Sequence, residues 1–262
     1  MNKKSEPVVI LCGGRGTRLQ EETEFKPKAL VHIGGRPILW HLMRIYYHYG
    51  YYKFILCLGY RGSMIKEYFL NYPAMQNDFT LRLRSGAHQI WNHNDNIEDW
   101  EITFIDTNLE TQTGGRIYRV RHLIHEDSFL ANYCDGLSDI DLEALVAFHK
   151  SKGKIATLTG FHPRSRYGIV RVDDRGIVNY WQEKPLMGDF TSGGFFVFNR
   201  KIFDYLDADC ILEQEPFERL AKDGELALYP HQGFWQCMDT YKEALALHQL
   251  WQSKQAPWKI WE

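Results

Sequence analysis

The apolar run Pro7–Cys12 (PVVILC) passes without a polar break into the glycine turn Gly13-Gly14-Arg15-Gly16. A run this short, bounded by glycines and lacking alternation, predicts a strand buried on both faces. Such strands belong in parallel sheets covered by helices, and the chain repeats the pattern. The apolar spacing predicts a helix over Pro37–Tyr49, a strand at Lys53–Leu58 and a helix from about Ser63 to Asn71. A strand near Glu101–Ile105, a helix near Gly115–Ile124 and a strand at Phe129–Cys134 continue it. The alternation predicts an α/β fold with a mainly parallel sheet.

Residues 72–100 break the rhythm with mixed polarity, two tryptophans and the polar stretch Asn92–Asp99, which predicts an excursion of short strands and loops. Beyond a helix near Asp141–Ser151 the pattern becomes α+β. Ile155–Phe161 reads as a strand, and Ile169–Val172 and Ile177–Trp181 around Asp173-Asp174-Arg175-Gly176 read as a hairpin. Gly193–Phe198 is a further buried strand, Glu215–Lys222 a helix closed by Gly224, and Asp239–Trp251 an amphipathic helix. Without repeats or flexible linkers, the 262 residues are expected to form a single domain on one continuous sheet. Its part to about residue 140 reads as the functional half of that sheet and residues from about 141 to 262 as an elaborated half.

Composition narrows the partners. Thirty-one Lys and Arg against 33 Asp and Glu leave a net charge of −2, without the basic excess that binding to a nucleic-acid polymer requires. No apolar run approaches the roughly 20 residues of a membrane span, and Met1–Pro7 lacks the apolar stretch of a secretory signal, so the expectation is a cytoplasmic protein with no membrane partner. Cys12, Cys57, Cys134, Cys210 and Cys237 show no zinc-ligand spacing and read as reduced, buried thiols. The aromatic cluster Trp40, Tyr46, Tyr47, Tyr49, Tyr51 and Tyr52 reads as core and subunit contact rather than a carbohydrate-stacking surface.

Glycines directly after a buried strand let backbone wrap closely around phosphate and aim N–H groups at it. A plain tight turn is the alternative, and the turn has neither the ending of a P-loop nor Rossmann spacing. Shortly downstream, Phe25-Lys26-Pro27-Lys28-Ala29-Leu30 holds two lysines around a rigid proline, so Arg15, Arg18, Lys26 and Lys28 concentrate four cations in a short stretch. That combination is far more specific than either part.

The stretch GGRGTRL…EFKPKALVHIGGRPILWH closely resembles the signature of the nucleotidyltransferases that join a nucleoside triphosphate to a sugar 1-phosphate. Further matches follow in order: Leu58-Gly59-Tyr60, Thr113-Gly114-Gly115-Arg116, Tyr133-Cys134-Asp135-Gly136, Gln182-Glu183-Lys184-Pro185, Gly193-Gly194-Phe195-Phe196 and the segment Gly233–Thr240. With the ending Ala256-Pro257-Trp258-Lys259, the set is similar to the bacterial glucose-1-phosphate cytidylyltransferase branch in particular. The resemblance implies a Rossmann-like, three-layer α/β/α fold on a mixed, mainly parallel sheet, with an added β-rich sugar-binding part, the nucleotide-diphospho-sugar transferase fold. It also implies an in-line attack of the sugar phosphate on the α-phosphorus of CTP, with Mg²⁺ as cofactor and a homo-oligomer, a hexamer being one candidate. By the same resemblance, the part to about residue 140 would bind the nucleotide and residues from about 141 to 262 would supply acceptor and oligomer contacts.

Carried over residue by residue, the resemblance puts the nucleotide on Leu11, Gly13, Gly14, Gly16, Thr17, Arg18, Lys28 and Gly59, with Arg18, Lys26 and Lys28 as the catalytic cations. Asp135 and Asp239 would hold the metal together with phosphate oxygens, although Asp-Gly is also a common turn and Asp239 reads equally well as a helix N-cap. Arg116, Lys184, Ser192 and Gly193 would take the acceptor, whose dianion cannot approach a polyanion without local cations. Ser192 stands where the branch pattern has asparagine and Cys134 where glycine is more frequent, so a phosphorylated acceptor other than glucose 1-phosphate stays open, as do UTP and dTTP beside CTP. A carbohydrate-binding module is the non-enzymatic alternative.

Overall fold

The computed structural model describes residues 3–19, 23–91, 97–165 and 167–262, with Arg18 described through its backbone alone. Part of the expected polar excursion, residues 92–96, and the Arg18 side chain therefore lie outside the described residues. In chain order the elements are β1 (Val8–Cys12), β2 (His32–Ile33), β3 (Arg36–Pro37), α1 (Ile38–His48), β4 (Lys53–Leu58), α2 (Gly62–Leu70), α3 (Tyr72–Met75), β5 (Asp78–Arg82), β6 (Ala87–Trp91) and β7 (Glu101–Asp106). There follow α4 (Thr113–Arg119), β8 (Ser128–Tyr133), β9 (Gly136–Ser138), α5 (Leu142–Lys152), β10 (Ala156–Phe161), β11 (Ile169–Val172), β12 (Val178–Gln182), β13 (Thr191–Ser192) and β14 (Phe196–Asn199). The chain closes with α6 (Glu215–Lys222), β15 (Leu226–Pro230), β16 (Trp235–Cys237) and α7 (Tyr241–Gln252).

Eight strands make the central sheet. β1 lies between β4 and β8, both parallel to it; β7 extends the sheet beyond β4, and antiparallel β14 joins β8 to β10, which carries parallel β15 on its other side. The sheet is thus mixed and mainly parallel, as the alternation predicts. Its strands sort their side chains by strict period: Val8, Ile10 and Cys12 of β1, with Phe54, Leu56 and Leu58 of β4, belong to one apolar cluster. Val9 and Leu11, with Ile55 and Cys57, belong to the cluster on the opposite face. Two covered faces explain the unbroken hydrophobicity of PVVILC. Helix α1 supplies Ile38, Leu39, Leu42, Met43 and Ile45 to the first cluster, and α4 supplies Ile117 to the second, giving three layers.

The expected strand Gly193–Phe198 begins only at Phe196. Residues 193–195 bulge out between β13 and β14, with positive φ at Gly194 (77°) and Phe195 (46°). The bulge is held from a neighbouring strand, because the Phe195 N–H donates to Asn132 Oδ1 at 3.1 Å, a contact that local sequence cannot announce. Among the described residues, the two longer of the four antiparallel pairs outside the main sheet are the ribbons β5–β6 and β11–β12. The first fills the expected excursion and the second is the expected hairpin. Three of the five thiols are buried; Cys210 and Cys237 are only partly so, which corrects the expectation for those two. Trp40, Tyr46 and Tyr51 of the aromatic cluster are core residues.

Candidate active site

Strands β1, β4, β7 and β8 all point their carboxyl ends the same way, and the loops leaving them form one edge, the position where open α/β sheets bind ligands. A cavity of about 320 Å³ opens there, lined by Leu11, Gly13, Gly14, Gly16, Lys28, Arg116 and Asp135 from the residues expected in the site. Leu109–Thr113 and Tyr133 form another wall; Thr113 and Tyr133 fall in motifs quoted for the resemblance, whereas residues 109–112 had not been singled out. Their signal was available: residues 109–113 are the loop leaving a parallel strand at its carboxyl end. That wall is braced by Glu213, which accepts hydrogen bonds from the hydroxyls of Tyr133 and Thr113. Burial, with the Glu213 carboxylate beside it, pushes the Tyr133 phenol well above its ordinary range, so it stays a neutral donor.

The centre of the site is an ion triplet. The Lys28 ammonium donates to Asp135 Oδ2 at 2.5 Å and to Asp239 Oδ1 at 2.6 Å. All three side chains are shielded, Lys28 being 11% exposed and the aspartates 22% and 23%. Burial alone would lower the lysine pKa, but the Asp135 charge and the bonds to both carboxylates outweigh it and raise it, keeping the ammonium charged. Two carboxylates 104 positions apart in the chain are therefore aimed at one point. The ribbon β9–β16 does this: Cys237 pairs with Gly136, and the Met238 N–H donates to the Asp135 carbonyl at 2.9 Å. Asp239 is not the N-cap of the last helix. That place belongs to Thr240, whose hydroxyl accepts from the Glu243 N–H while Glu243 Oε2 accepts from the N–H groups of Asp239 and Thr240. The Asp239 side chain is thereby left for the site.

The glycines of the turn divide into two kinds. A Cβ on Gly13 would fall 2.0 Å from Arg116 Nη1 and one on Gly59 would fall 2.7 Å from the Gly13 carbonyl oxygen, so both are glycine because protein packs there. Gly14 faces open space and Gly16, at φ +64°, lies against Thr23 and the Lys28 Cβ. Of the four, only Gly14 leaves its backbone bare, while Gly16 is needed for its left-handed φ. Thr17 is exposed and lines an adjoining recess with Arg15, Thr23, Glu24 and Tyr60. Half-buried Lys26 sits in the loop before Pro27, outside the lining of the main cavity.

Arg116 lines the cavity, but protein groups engage its guanidinium. It was expected to meet the acceptor phosphate, but it is 4% exposed, and its guanidinium donates to the carbonyls of Leu58, Asn108, Leu109 and Gly13 and to Thr107 Oγ1. Burial lowers its pKa, without freeing a donor. Its planar fork ties the loops after β1, β4 and β7 together, a structural task. Lys184 and Ser192 are exposed and lie outside the cavity lining, Lys184 paired with Glu183 at 3.4 Å. Gly193 is buried beside the ribbon: its carbonyl accepts the Trp235 Nε1–H at 2.7 Å.

Comparison with known proteins gives the family of the chain. The family model described as "Nucleotidyl transferase" matches residues 7–239. The "Probable glucose-1-phosphate cytidylyltransferase" of Bacillus subtilis (strain 168) is 46% identical over 255 residues, covering 97% of this chain and 99% of that protein. The "Glucose-1-phosphate cytidylyltransferase" of Salmonella typhi is 46% identical over 257 residues, with the same coverage. Among solved structures, HddC from Yersinia pseudotuberculosis complexed with GMP-PN superposes with a TM-score of 0.69 at 21% identity, over 94% of this chain and 99% of that one, and shares the fold. A match running from the start of β1 through Asp239, with both ends of the ion triplet inside it, makes the chain a member of the nucleotidyl transferase family.

Proposed function

We propose that the chain transfers the cytidylyl group of CTP to α-D-glucose 1-phosphate, giving CDP-glucose and pyrophosphate. A phosphate oxygen of the sugar attacks the α-phosphorus in line, a new P–O bond forms, and the bond to the β-phosphate oxygen breaks with its electron pair leaving on pyrophosphate. The observation that carries this reading is the convergence of Lys28, Asp135 and Asp239 beside the glycine turn, where Gly14 leaves backbone bare. The near-full-length likeness to cytidylyltransferases supports CTP and glucose 1-phosphate as the pair.

The donor set suits Mg²⁺. Two carboxylates reach one point, and among the described residues no group of three or more His, Cys, Asp or Glu could hold a metal, so the remaining ligands would be water and phosphate oxygens, as Mg²⁺ prefers. Bound there, the ion would neutralise phosphate charge. Lys28, Lys26 and Arg18 would then stabilise the charge shifting from the α-phosphate to the leaving pyrophosphate, while Lys184, Ser192 and Gly193 receive the acceptor.

We read the chain as one cytoplasmic domain that self-associates, feeding nucleotide sugar to polysaccharide synthesis. No helix among the described residues is long and apolar enough to cross a membrane. One face of the β11–β12 ribbon exposes Val170, Val172, Val178 and Trp181 at 44–63%, more apolar surface than a lone ribbon leaves in water. Light scattering after size exclusion tests the assembly. A grid of nucleoside triphosphates against phosphorylated sugars, scored by pyrophosphate release, tests the activity: turnover with CTP and glucose 1-phosphate is expected, and none with any pair would overturn the reading.

A further inference from the structure

Lys28 occupies the place a divalent cation would take. Its nitrogen stands 2.5 and 2.6 Å from the two carboxylates, whereas Mg²⁺ binds oxygen at about 2.0–2.1 Å. An ammonium and a divalent ion cannot share that point, both because it is one volume and because the two positive charges would repel across a shielded space. Without either, two like charges would face each other in the same shielded pocket. The carboxylates therefore always need a cation, and the chain carries its own.

The lysine also has somewhere else to go. Its Cβ lies within 3.2 Å of where a Cβ on Gly16 would stand, so the stem starts at the glycine turn and only its end leans toward the aspartates. Lys28 and Gly14 line the same cavity, and the lysine stem is flexible, so its ammonium can be re-aimed within that cavity by side-chain rotation.

We propose that Lys28 is a displaceable counter-ion: its ammonium holds Asp135 and Asp239 together before substrate arrives, and it is released to the triphosphate when the two carboxylates take a divalent cation. This rests on the reading of the two aspartates as metal ligands. It gives the site an order, in which the lysine reaches the nucleotide only once the metal is in place. Free metal must compete with a tethered ammonium, so the chain alone binds it weakly, and metal arriving on a nucleotide, whose phosphates attract the departing lysine, binds better.

Mn²⁺ without nucleotide is the probe, its free concentration read by electron paramagnetic resonance. Lys28→Met is expected to bind Mn²⁺ at least ten-fold more tightly than the wild-type chain. In the wild type, acylation of the Lys28 amine by acetic anhydride, quantified by peptide mass spectrometry, is expected to rise at least three-fold on adding Mn²⁺; this second readout needs no variant. Equal or weaker Mn²⁺ binding by a folded Lys28→Met, or labelling of Lys28 indifferent to Mn²⁺ that is bound, overturns the exchange. Should Asp135→Asn with Asp239→Asn leave Mn²⁺ binding unchanged, the metal assignment itself falls, which is a separate result.

Discussion

Arg116→Met separates two meanings of a buried arginine. In the folded chain the guanidinium donates at 2.6 Å to Thr107 Oγ1, 2.9 Å to the Asn108 carbonyl, 3.0 Å to Leu109, 3.1 Å to Leu58 and 3.3 Å to Gly13. Two of these acceptors keep other donors: the Leu58 carbonyl holds the Thr107 N–H, and that of Gly13 holds the Tyr60 N–H. The Thr107 hydroxyl also keeps its bond to the Leu58 carbonyl, so the loss falls on the Asn108 and Leu109 carbonyls, whose bonds to Arg116 are part-buried. At roughly 1–3 kcal/mol for a buried group left without its charged donor, reduced here by access to water, about 1–3 kcal/mol of folding stability should go. Urea denaturation of wild type, Arg116→Met and Arg116→Lys measures this, and Lys should not rescue, because a point-like ammonium cannot span three loops. A loss below about 1 kcal/mol, with a raised KM for glucose 1-phosphate and an unchanged KM for CTP, would refute the clamp and return Arg116 to the acceptor phosphate.

Gly34→Ala should cost about 2–4 kcal/mol, since its Cβ would fall 1.8 Å from Trp251 Cδ1 at φ +60°, whereas Gly35→Ala meets open space and should cost about 1 kcal/mol; thermal unfolding of the pair checks the difference. His41 is buried with Nε2 2.8 Å from the Ile33 carbonyl and Nδ1 3.4 Å from Trp258 Nε1, which suits a neutral ring donating through Nε2 and accepting at Nδ1. Burial, aided by Arg36 and His32 and opposed by the Ile33 bond, lowers its pKa to about 4. The unfolded chain then binds more protons between pH 6.5 and 4, so stability present above pH 6.5 declines as pH falls through that window, by about 3 kcal/mol in all; His41→Leu should flatten that slope in urea titrations at pH 7 and 5. Lys26→Ala and Asp135→Asn should each reduce turnover by two orders of magnitude or more with circular dichroism unchanged; wild-type rates from both would remove the chemical assignment.

Elements whose reason is local were legible in the sequence. Lys53–Leu58 and Glu215–Lys222 have the bounds their patterns predict, the first because both its faces are buried, the second because Pro216 opens it and Gly224, at φ +69°, ends it. The helix expected near Gly115–Ile124 instead starts at Thr113 and stops at Arg119, giving way to a tighter turn over Arg121–Leu123. Its start is set by a distant segment: Gly114 and Gly115 pass so close to Ala208 and Cys210 that a Cβ on either would fall 2.2–2.5 Å from them. The surroundings of Arg116 were hidden for a related reason. An arginine after a glycine pair in a cation-hungry site reads as a ligand, and only the path of three loops around it shows that both its terminal nitrogens are bonded to protein.

The ribbon β9–β16 had no strand signature, although the motifs Tyr133–Gly136 and Gly233–Thr240 run into its two sides, and it is what brings the two aspartates together. Three residues on each side are too few for an alternation to register, and Gly136-Leu137-Ser138 and Trp235-Gln236-Cys237 look like loop. Yet Asp135 lies one residue before the first strand and Asp239 two residues after the second, so this short pairing alone sets how far apart the carboxylates stand. It is anchored at its far end, where Ser138 Oγ donates to the Phe234 carbonyl at 2.8 Å and Trp235 stacks on Phe161 with ring centroids 4.0 Å apart. Trp235 also bonds the Gly193 carbonyl, and Gly193 has no room for a Cβ, which would fall 2.8 Å from Trp235 Nε1. The same ring therefore fixes the strand proposed for the acceptor relative to the carboxylates proposed for the metal. Two reactants that repel each other must meet within an ångström of the right geometry, and a packed aromatic side chain holds that spacing more rigidly than the loops that bear the charges.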